Sequence, residues 1–265
     1  MKTALTIAGS DPSGGAGIQA DIKTMTAHSV FATSAITAVT AQNTTGVYGV
    51  FNVSAQCLEK QLEAVFTDIF PDSVKIGMVS SAELIRVIAE ALRKYKPKNI
   101  VLDTVMVSTS GHRLLAEDAE EALVKELIPL ADVITPNLYE AEVLLGHRIE
   151  DEHHLPSAAR ELSEKYGTSV LLKGGHMNGN DYLYTADGKR KRWFFGHYID
   201  NPNTHGTGCT LSSALAANLA LGCDLPDSVA KAKEYTANAI MSGLDLGKGR
   251  GPIDHMWKIT GVVSK

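Results

Sequence analysis

Thr3-Ala4-Leu5-Thr6-Ile7-Ala8-Gly9-Ser10-Asp11-Pro12-Ser13-Gly14-Gly15-Ala16-Gly17 decides how the rest of the chain is read. Residues 3–8 are a short apolar run, and the glycines after it break any regular element. The spacing predicts a strand, a glycine-rich loop and a helix over about residues 17–28. The same alternation runs on. Residues 35–40, 74–76, 100–102, 133–134 and 169–172 read as strands. Between them Leu58, Leu62, Val65 and Phe66 recur at helical spacing behind Ser54 as N-cap, and Leu84, Ile85, Ile88 and Leu92 make the next helix face. Further helices are expected over 117–127, from Asn137 to Gly146, over 158–166, and from about Gly206 and Asp227. Residues 181–184 and 192–195 read as a hairpin about Asp187-Gly188. Strands alternating with helices, plus one late hairpin, predict an α/β sandwich with a mainly parallel sheet and helices on both faces. In such a sheet, ligands lie beyond the carboxyl ends of the strands. The loops after strands therefore matter most.

No linker, repeat or low-complexity tract divides the 265 residues, so 1–265 is read as one domain. Hydrophobic residues at 44% and charged residues at 21% exclude disorder, collagen and coiled coil as the main state. A net charge of −5 argues against a nucleic-acid binder driven by overall charge. Cys57, Cys209 and Cys223 form no CxxC pair, which favours a reducing, cytoplasmic setting. The apolar run at residues 4–8 is too short for a signal peptide. Residues 24–58 carry no charge, yet include Gln42, Asn43 and Gly46, so they read as buried strands and loops and not as a membrane span. The basic run Lys189-Arg190-Lys191-Arg192 reads as a solvated hairpin tip, and His153-His154 lacks zinc-helix spacing.

Two loops carry chemistry. In the first, Gly15-Ala16-Gly17-Ile18-Gln19-Ala20 matches a dinucleotide-binding string only loosely. Gly15 lies well past the strand end, and after Asp21 the next acid is Glu59, too far on for a ribose contact. No Lys-Ser/Thr follows the glycines, which excludes a Walker loop. A tight connector without a ligand stays open. The second loop is Asn203-Thr204-His205-Gly206-Thr207-Gly208-Cys209-Thr210, which opens an uncharged helix. Glycines at a helix start expose free amides that suit a phosphate, and side chains or water could satisfy them instead. At that N-terminus the helix dipole is expected to lower the Cys209 thiol pKa. A small buried residue is the plain alternative, and His205 is near it in sequence alone.

Taken together, residues 8–17, Thr40-Ala41-Gln42-Asn43-Thr44-Thr45-Gly46-Val47, Lys75-Ile76-Gly77-Met78, Thr135-Pro136-Asn137-Leu138-Tyr139-Glu140-Ala141, Leu172-Lys173-Gly174-Gly175-His176 and His205-Gly206-Thr207-Gly208-Cys209-Thr210-Leu211-Ser212 resemble, in order, the hydroxymethylpyrimidine/phosphomethylpyrimidine kinases of the ribokinase-like superfamily. The resemblance covers nearly the whole chain. It implies a three-layer αβα fold, a homodimer, no membrane or nucleic-acid partner, and Mg2+ with ATP as phosphoryl donor; a monovalent-cation requirement stays open. It implies phosphorylation of 4-amino-5-hydroxymethyl-2-methylpyrimidine and then of its monophosphate, feeding thiamine synthesis. Carried over by motif, Gly206, Thr207 and Gly208 form the catalytic anion hole with the backbone amide of Cys209, whose side chain contacts or deprotonates the acceptor hydroxyl. Lys173, Asn137, Glu140 and Asp103 serve ATP and phosphate, with Glu140 and Asp103 reaching the magnesium through water. Gln42, Gly9 and Met78 line the substrate pocket. A carboxamide offers a donor beside an acceptor, the complement of a 4-aminopyrimidine edge.

Some residues depart from the pattern. Asp103-Thr104-Val105-Met106, followed by Ser108-Thr109, stands where the family often has Asp-Pro-Val-Met and a lysine, and Pro202 is unusual. A pyridoxine or pyridoxal kinase of the same superfamily is the alternative enzyme, with Gln42-Asn43-Thr44-Thr45 against it. A non-catalytic pyrimidine sensor is the alternative outside enzymology, with Lys173, Glu140 and Cys209 against it.

Overall fold

The computed structural model describes residues 1–106, 115–175 and 179–260. Ser108, Thr109 and His176, named above, lie outside the described residues. Strand β1 (Thr3–Ser10) leads through the first glycine loop into α1 (Gly17–Ala27), as the opening stretch predicts. There follow β2 (Phe31–Asn43), β3 (Gly46–Asn52), α2 (Ala55–Thr67), β4 (Ser73–Ile76), α3 (Ala82–Tyr95), β5 (Ile100–Leu102) and α4 (Glu117–Ala122). After β6 (Val133–Ile134) come α5 (Leu138–Leu145), α6 (Leu155–Tyr166), β7 (Ser169–Gly174), β8 (Asn180–Tyr184), β9 (Lys191–Phe194), α7 (Thr207–Ala220), α8 (Leu225–Met241) and α9 (Trp257–Thr260). The strands make one sheet in the order β3-β2-β1-β4-β5-β6-β7-β8-β9. From β2 to β7 neighbours run parallel, and β3, β8 and β9 add antiparallel edges.

Alternation along the strands builds the three layers. Leu5, Ile7, Val74, Ile76, Ile100 and Leu102 face one way and pack with α2, α3, α5 and α6 residues such as Leu58, Ile85, Leu144 and Leu162. Ala4, Val101, Val133 and Leu171 face the other way and pack with Met25, Leu211, Leu215 and Val229 of α1, α7 and α8. Successive strand residues point to opposite faces, so each strand must be apolar on both. Beyond the carboxyl end of the sheet, the order reverses between β1 and β4. Such a switch point leaves a crevice.

Three expectations change. Residues 24–58 are not buried throughout. Their lack of charge reflects an added antiparallel pair, in which β3 leaves Tyr48 and Phe51 69% and 65% exposed. The helix expected over 117–127 is α4, which widens into a π-turn over Leu123–Leu127 and a 3-10 turn over Ile128–Leu130, where Pro129 cannot donate. The basic hairpin run is less free than expected: Arg190 pairs with Asp224, and Arg192 lies 3.9 Å from Asp227, both at the start of α8.

Beneath the crevice lies a charge that patterning alone does not explain. The Lys75 ammonium of β4 is fully buried and contacts both carboxylate oxygens of Asp21 on α1, each at 2.9 Å. The same carboxylate accepts from Thr6 on β1 at 2.5 Å and from Ser213 on α7 at 2.6 Å. Four elements therefore meet on one ion pair. Above it the two glycine loops interlock. Gly206 sits at φ 83°, and a Cβ there would stand 1.7 Å from Gly15 O. Only glycine fits such a position. Removing one partner of a buried pair strands the other charge, at a cost of about 3–5 kcal/mol. Lys75→Met is therefore expected to lower unfolding stability by roughly that amount in urea titration. A loss under about 1 kcal/mol would show that Asp21 finds water or another donor.

Candidate active site

Around the N-terminus of α7 the residues expected to serve phosphate converge. Gly206 takes the N-cap position, and no side chain caps the helix. The Thr207 amide donates to Thr204 O at 3.3 Å, and the amides after it are the donors that an anion can satisfy. Thr207 turns its hydroxyl back to Thr204 O at 2.8 Å, which fixes the loop entering the helix. A Cβ on Gly208 would lie 3.6 Å from Asp103 Oδ2 and 3.8 Å from Lys173 Nζ. The glycine thus opens the helix start onto an ion pair, Lys173 Nζ to Asp103 Oδ1 at 3.2 Å. Asp103, at the end of β5, also accepts from Thr135 and Ser212, each at 3.2 Å.

Asn137 and Glu140 form a reciprocal capping box at the start of α5, with both bonds at 2.9 Å. The Glu140 carboxylate also accepts from Thr104 Oγ1 at 3.1 Å and from the Met106 amide at 3.4 Å. Thr104, one of the departures from the family pattern, therefore ties the loop after β5 to Glu140. Asn137 pairs through its backbone with Lys173, so the cap and the lysine share one strand end. Pro202 is exposed, and nothing in the structure gives it a role.

The residues expected to line the substrate pocket, Gly9, Gln42 and Met78, lie at the ends of β1 and β2 and just after β4. A Cβ on Gly9 would stand 2.9 Å from Met78 Cε, so the two line one wall. Gly9 and Gln42 each lie at a register irregularity, in β1 between Ala8 and Ser10 and in β2 between Ala41 and Gln42. Such bulges re-aim side chains at strand ends. Gln42 Nε2 lies 3.3 Å from His205 Nε2, which in turn contacts Asp11 Oδ2 at 2.8 Å. His205 is thus turned to Asp11 and Gln42.

Burial governs the local pKa values. It pushes the Cys209 thiol up to about 11, although the nearby Lys75 ammonium and the Gly17 amide pull the other way. This corrects the expectation of a lowered thiol, because desolvation, joined by the Asp21 and Asp103 carboxylates, exceeds the pull of Lys75 and the Gly17 amide. Burial likewise raises Glu140 to about 7, with Lys173 opposing it. Burial would raise Asp103 too, yet Lys173 and Lys75 outweigh it and hold the carboxylate below its usual range. Lys75 and Asp21 were present in the sequence motifs without a role. The available signal was a lysine on an apolar, doubly covered strand, where a charge requires a partner. His205 and Asp11 lie in separate loops, and no spacing links them.

Among the described residues, no three His, Cys, Asp or Glu side chains form a ready metal cage. Asp103 and Glu140 flanking Lys173 fit a magnesium ion held mainly by nucleotide phosphates and water.

With the geometry in place, similarity to known proteins is informative. The sequence model of the phosphomethylpyrimidine kinase family matches residues 11–254. The chain belongs to that family. It is 48% identical over 262 residues to the hydroxymethylpyrimidine/phosphomethylpyrimidine kinase of Rhizobium meliloti, covering 96% of this chain and 98% of that protein. It is 46% identical to the thiamine biosynthesis bifunctional protein ThiED of Geobacter sulfurreducens, over 95% of this chain and 52% of that one. The crystal structure of phosphomethylpyrimidine kinase from Clostridium difficile superposes with a TM-score of 0.82 at 45% identity, covering 91% of this chain and all of that one. An ADP complex of Bacillus subtilis pyridoxal kinase reaches a TM-score of 0.87 at 36% identity, over 97% and 98%. The ribokinase-like three-layer fold is thereby shared with both kinds of vitamin kinase.

Asp11 offers a test of the loop itself. Burial alone would raise its pKa, but bonds from His205, Ser13 and the Ala16 amide outweigh this and lower it to about 2. A carboxylate lowered from 3.8 to about 2 adds roughly 2 kcal/mol of stability. That contribution is complete above the unfolded pKa and disappears as pH falls through about 2. Asp11→Asn should therefore be less stable than the parent at neutral pH, with the gap closing toward pH 2, in urea titrations across that range. A pH-independent gap would mean that the carboxylate charge contributes nothing.

Proposed function

We propose that the chain transfers the γ-phosphoryl group of ATP to 4-amino-5-hydroxymethyl-2-methylpyrimidine, and then a second group to the resulting monophosphate, for thiamine biosynthesis. The observation that carries this reading is an uncapped helix start that opens onto the Lys173–Asp103 pair directly after His205, which the Gln42 carboxamide of β2 contacts at 3.3 Å. Sequence similarity supports the pyrimidine over pyridoxal: identity is 39–48% to hydroxymethylpyrimidine/phosphomethylpyrimidine kinases and 33–36% to the Bacillus and Staphylococcus pyridoxal kinases.

Phosphoryl transfer demands mainly positioning and charge neutralisation. In this reading, the amides at Gly206, Gly208 and Cys209 take the γ-phosphate oxygens, while Thr207, tied to Thr204 O, holds the loop that presents them. Donors aimed in this way are worth ~3–4 kcal/mol of barrier. Lys173 adds a fixed positive charge, and Asp103 holds that ammonium in place. Asn137 and Glu140 stand beside it toward the nucleotide phosphates. When bound, magnesium would neutralise phosphate charge, with Asp103 and Glu140 reaching it through water. Gln42, Gly9 and Met78 hold the ring so that the hydroxymethyl oxygen faces the γ-phosphorus. As the oxygen–phosphorus bond forms, the bond to the departing ADP oxygen breaks. Because its thiol is pushed up to about 11, Cys209 is protonated at neutral pH. A loose transition state needs little prior deprotonation. Cys209 then serves as a contact that orients the acceptor hydroxyl, whose proton passes to an oxygen of the transferred phosphoryl group as the ester forms.

The same reading places one folded domain over 1–265, supported by the single continuous sheet. It places the protein in the cytoplasm; the three cysteines are free, and no helix of the described residues is long and apolar enough to cross a membrane. It takes the working form as a homodimer, supported by exposed Val47, Tyr48, Val50 and Phe51 on β3.

A coupled ADP-release assay with Mg-ATP tests the assignment against the pyrimidine alcohol, its monophosphate, pyridoxine, pyridoxal and ribose. Turnover should be highest on the pyrimidine, and the monophosphate should yield a diphosphate. Preference for pyridoxal would transfer the assignment to the alternative kinase. Pyrimidine binding without turnover would indicate a sensor. Cys209→Ala is expected to cut kcat at least ten-fold, ~1.4 kcal/mol of barrier; unchanged turnover would reduce Cys209 to packing.

A further inference from the structure

His205 is more than a neighbour of the anion loop. Its ring lies against Gly15 so closely that a Cβ there would stand 2.5 Å from His205 Cδ2. Its backbone amide donates to Gly251 O at 3.1 Å. The ring thus lies against Gly15 and its backbone is tied to Gly251, with Nε2 between Asp11 and Gln42.

The donors in this group can be counted. Asp11 Oδ2 is an acceptor at 2.8 Å, so His205 Nε2 carries a proton toward it. Thr40 Oγ1 donates its one proton to Ser10 O at 2.9 Å. Gln42 Nε2 lies 3.3 Å from the donor His205 Nε2, and Gln42 Oε1 lies 3.4 Å from Thr40 Oγ1, whose proton is already committed. Both contacts set like against like. A half-turn of the Gln42 carboxamide resolves both. Its oxygen then faces the single His205 Nε2–H as the longer arm of a bond shared with Asp11, and its NH2 donates to a free lone pair on Thr40.

We propose that His205, clamped by Asp11, is a specificity-determining positioning residue that fixes which end of the Gln42 carboxamide is oxygen. The inference rests on the reading of Gln42 as the contact to the substrate ring. After both internal bonds, Gln42 keeps one lone pair on its oxygen and one N–H. Those are what an exocyclic amino group beside a ring nitrogen requires, and in a set order. With the order free, an aminopyrimidine whose hydroxymethyl arm is already directed to the phosphate site pairs wrongly in part of the population. A ring without the amino group has little to lose.

The test is calorimetric binding, without ATP, of 4-amino-5-hydroxymethyl-2-methylpyrimidine and of its analogue lacking the amino group. His205→Ala should weaken the amino compound about ten-fold and the analogue less than three-fold. His205→Gln, which keeps an N–H donor, should restore most of the difference. In a Gln42→Ala background, His205→Ala should no longer change the ratio of the two affinities. Thermal melts of each variant confirm folding. Equal weakening of both ligands by His205→Ala, or no weakening, overturns the proposal while Gln42→Ala still collapses the ratio. A ratio untouched by Gln42→Ala overturns the Gln42 reading itself, and the proposal with it. Should His205→Ala not fold, His205→Leu and His205→Gln decide by the same ratio.

Discussion

The buried pair of Lys75 and Asp21 is the constraint around which the crevice is built. Four elements, β1, α1, β4 and α7, bring polar atoms to one point beneath the glycine loops. Neither charge is exposed, so each is tolerable only while the other stays in place. That requirement fixes where α1 and α7 begin relative to the ends of β1 and β4. Those four ends are the walls of the site. The same ammonium also draws down the pKa of Asp103. The support beneath the site and the charge within it are thus one device.

The glycine loops turn that support into an opening. Gly206 is in a left-handed conformation and touches the Gly15 carbonyl, so neither loop can move alone. The contact leaves an uncapped helix start facing Lys173 on one side, and the ring of His205 against the first loop on the other. In the proposed reaction, the phosphate loop and the Gln42 contact meet within a few residues of the turn entering α7. This closeness suits a reaction that needs position more than reactive groups. Burial of Cys209 fits the same logic: a neutral thiol can touch an acceptor without competing for phosphorus.

Much of this was legible early. The run from Thr3 to Gly17 is a strand, loop and helix in the structure, and the helix capped by Asn137 ends at Gly146 as its spacing predicts. Ser54 caps α2 by accepting from the Cys57 amide. Local signals succeed there because caps and turns are satisfied within a few residues. The added strand β3 escaped notice, since an uncharged stretch is equally consistent with a core or with an exposed apolar edge. Helix α4 ends early because a π-turn answers to packing against α3 and not to periodicity. The Cys209 pKa was misjudged in direction because burial is a property of the whole fold.

By itself, the sequence determined the order of elements, the two glycine loops and the residue types that phosphoryl transfer needs. Each depends on period, on small residues or on groups close in the chain. Only the tertiary structure decided that Lys75 meets Asp21, that Gly208 opens onto Asp103 and Lys173, and that His205 stands between Asp11 and Gln42. Those partners are separated by 54 residues in the first case and by 163 or more in the last. Their meeting follows from parallel strands whose loops all emerge at one end of the sheet. No local rule encodes that geometry, because it comes from burying both faces of the sheet at once.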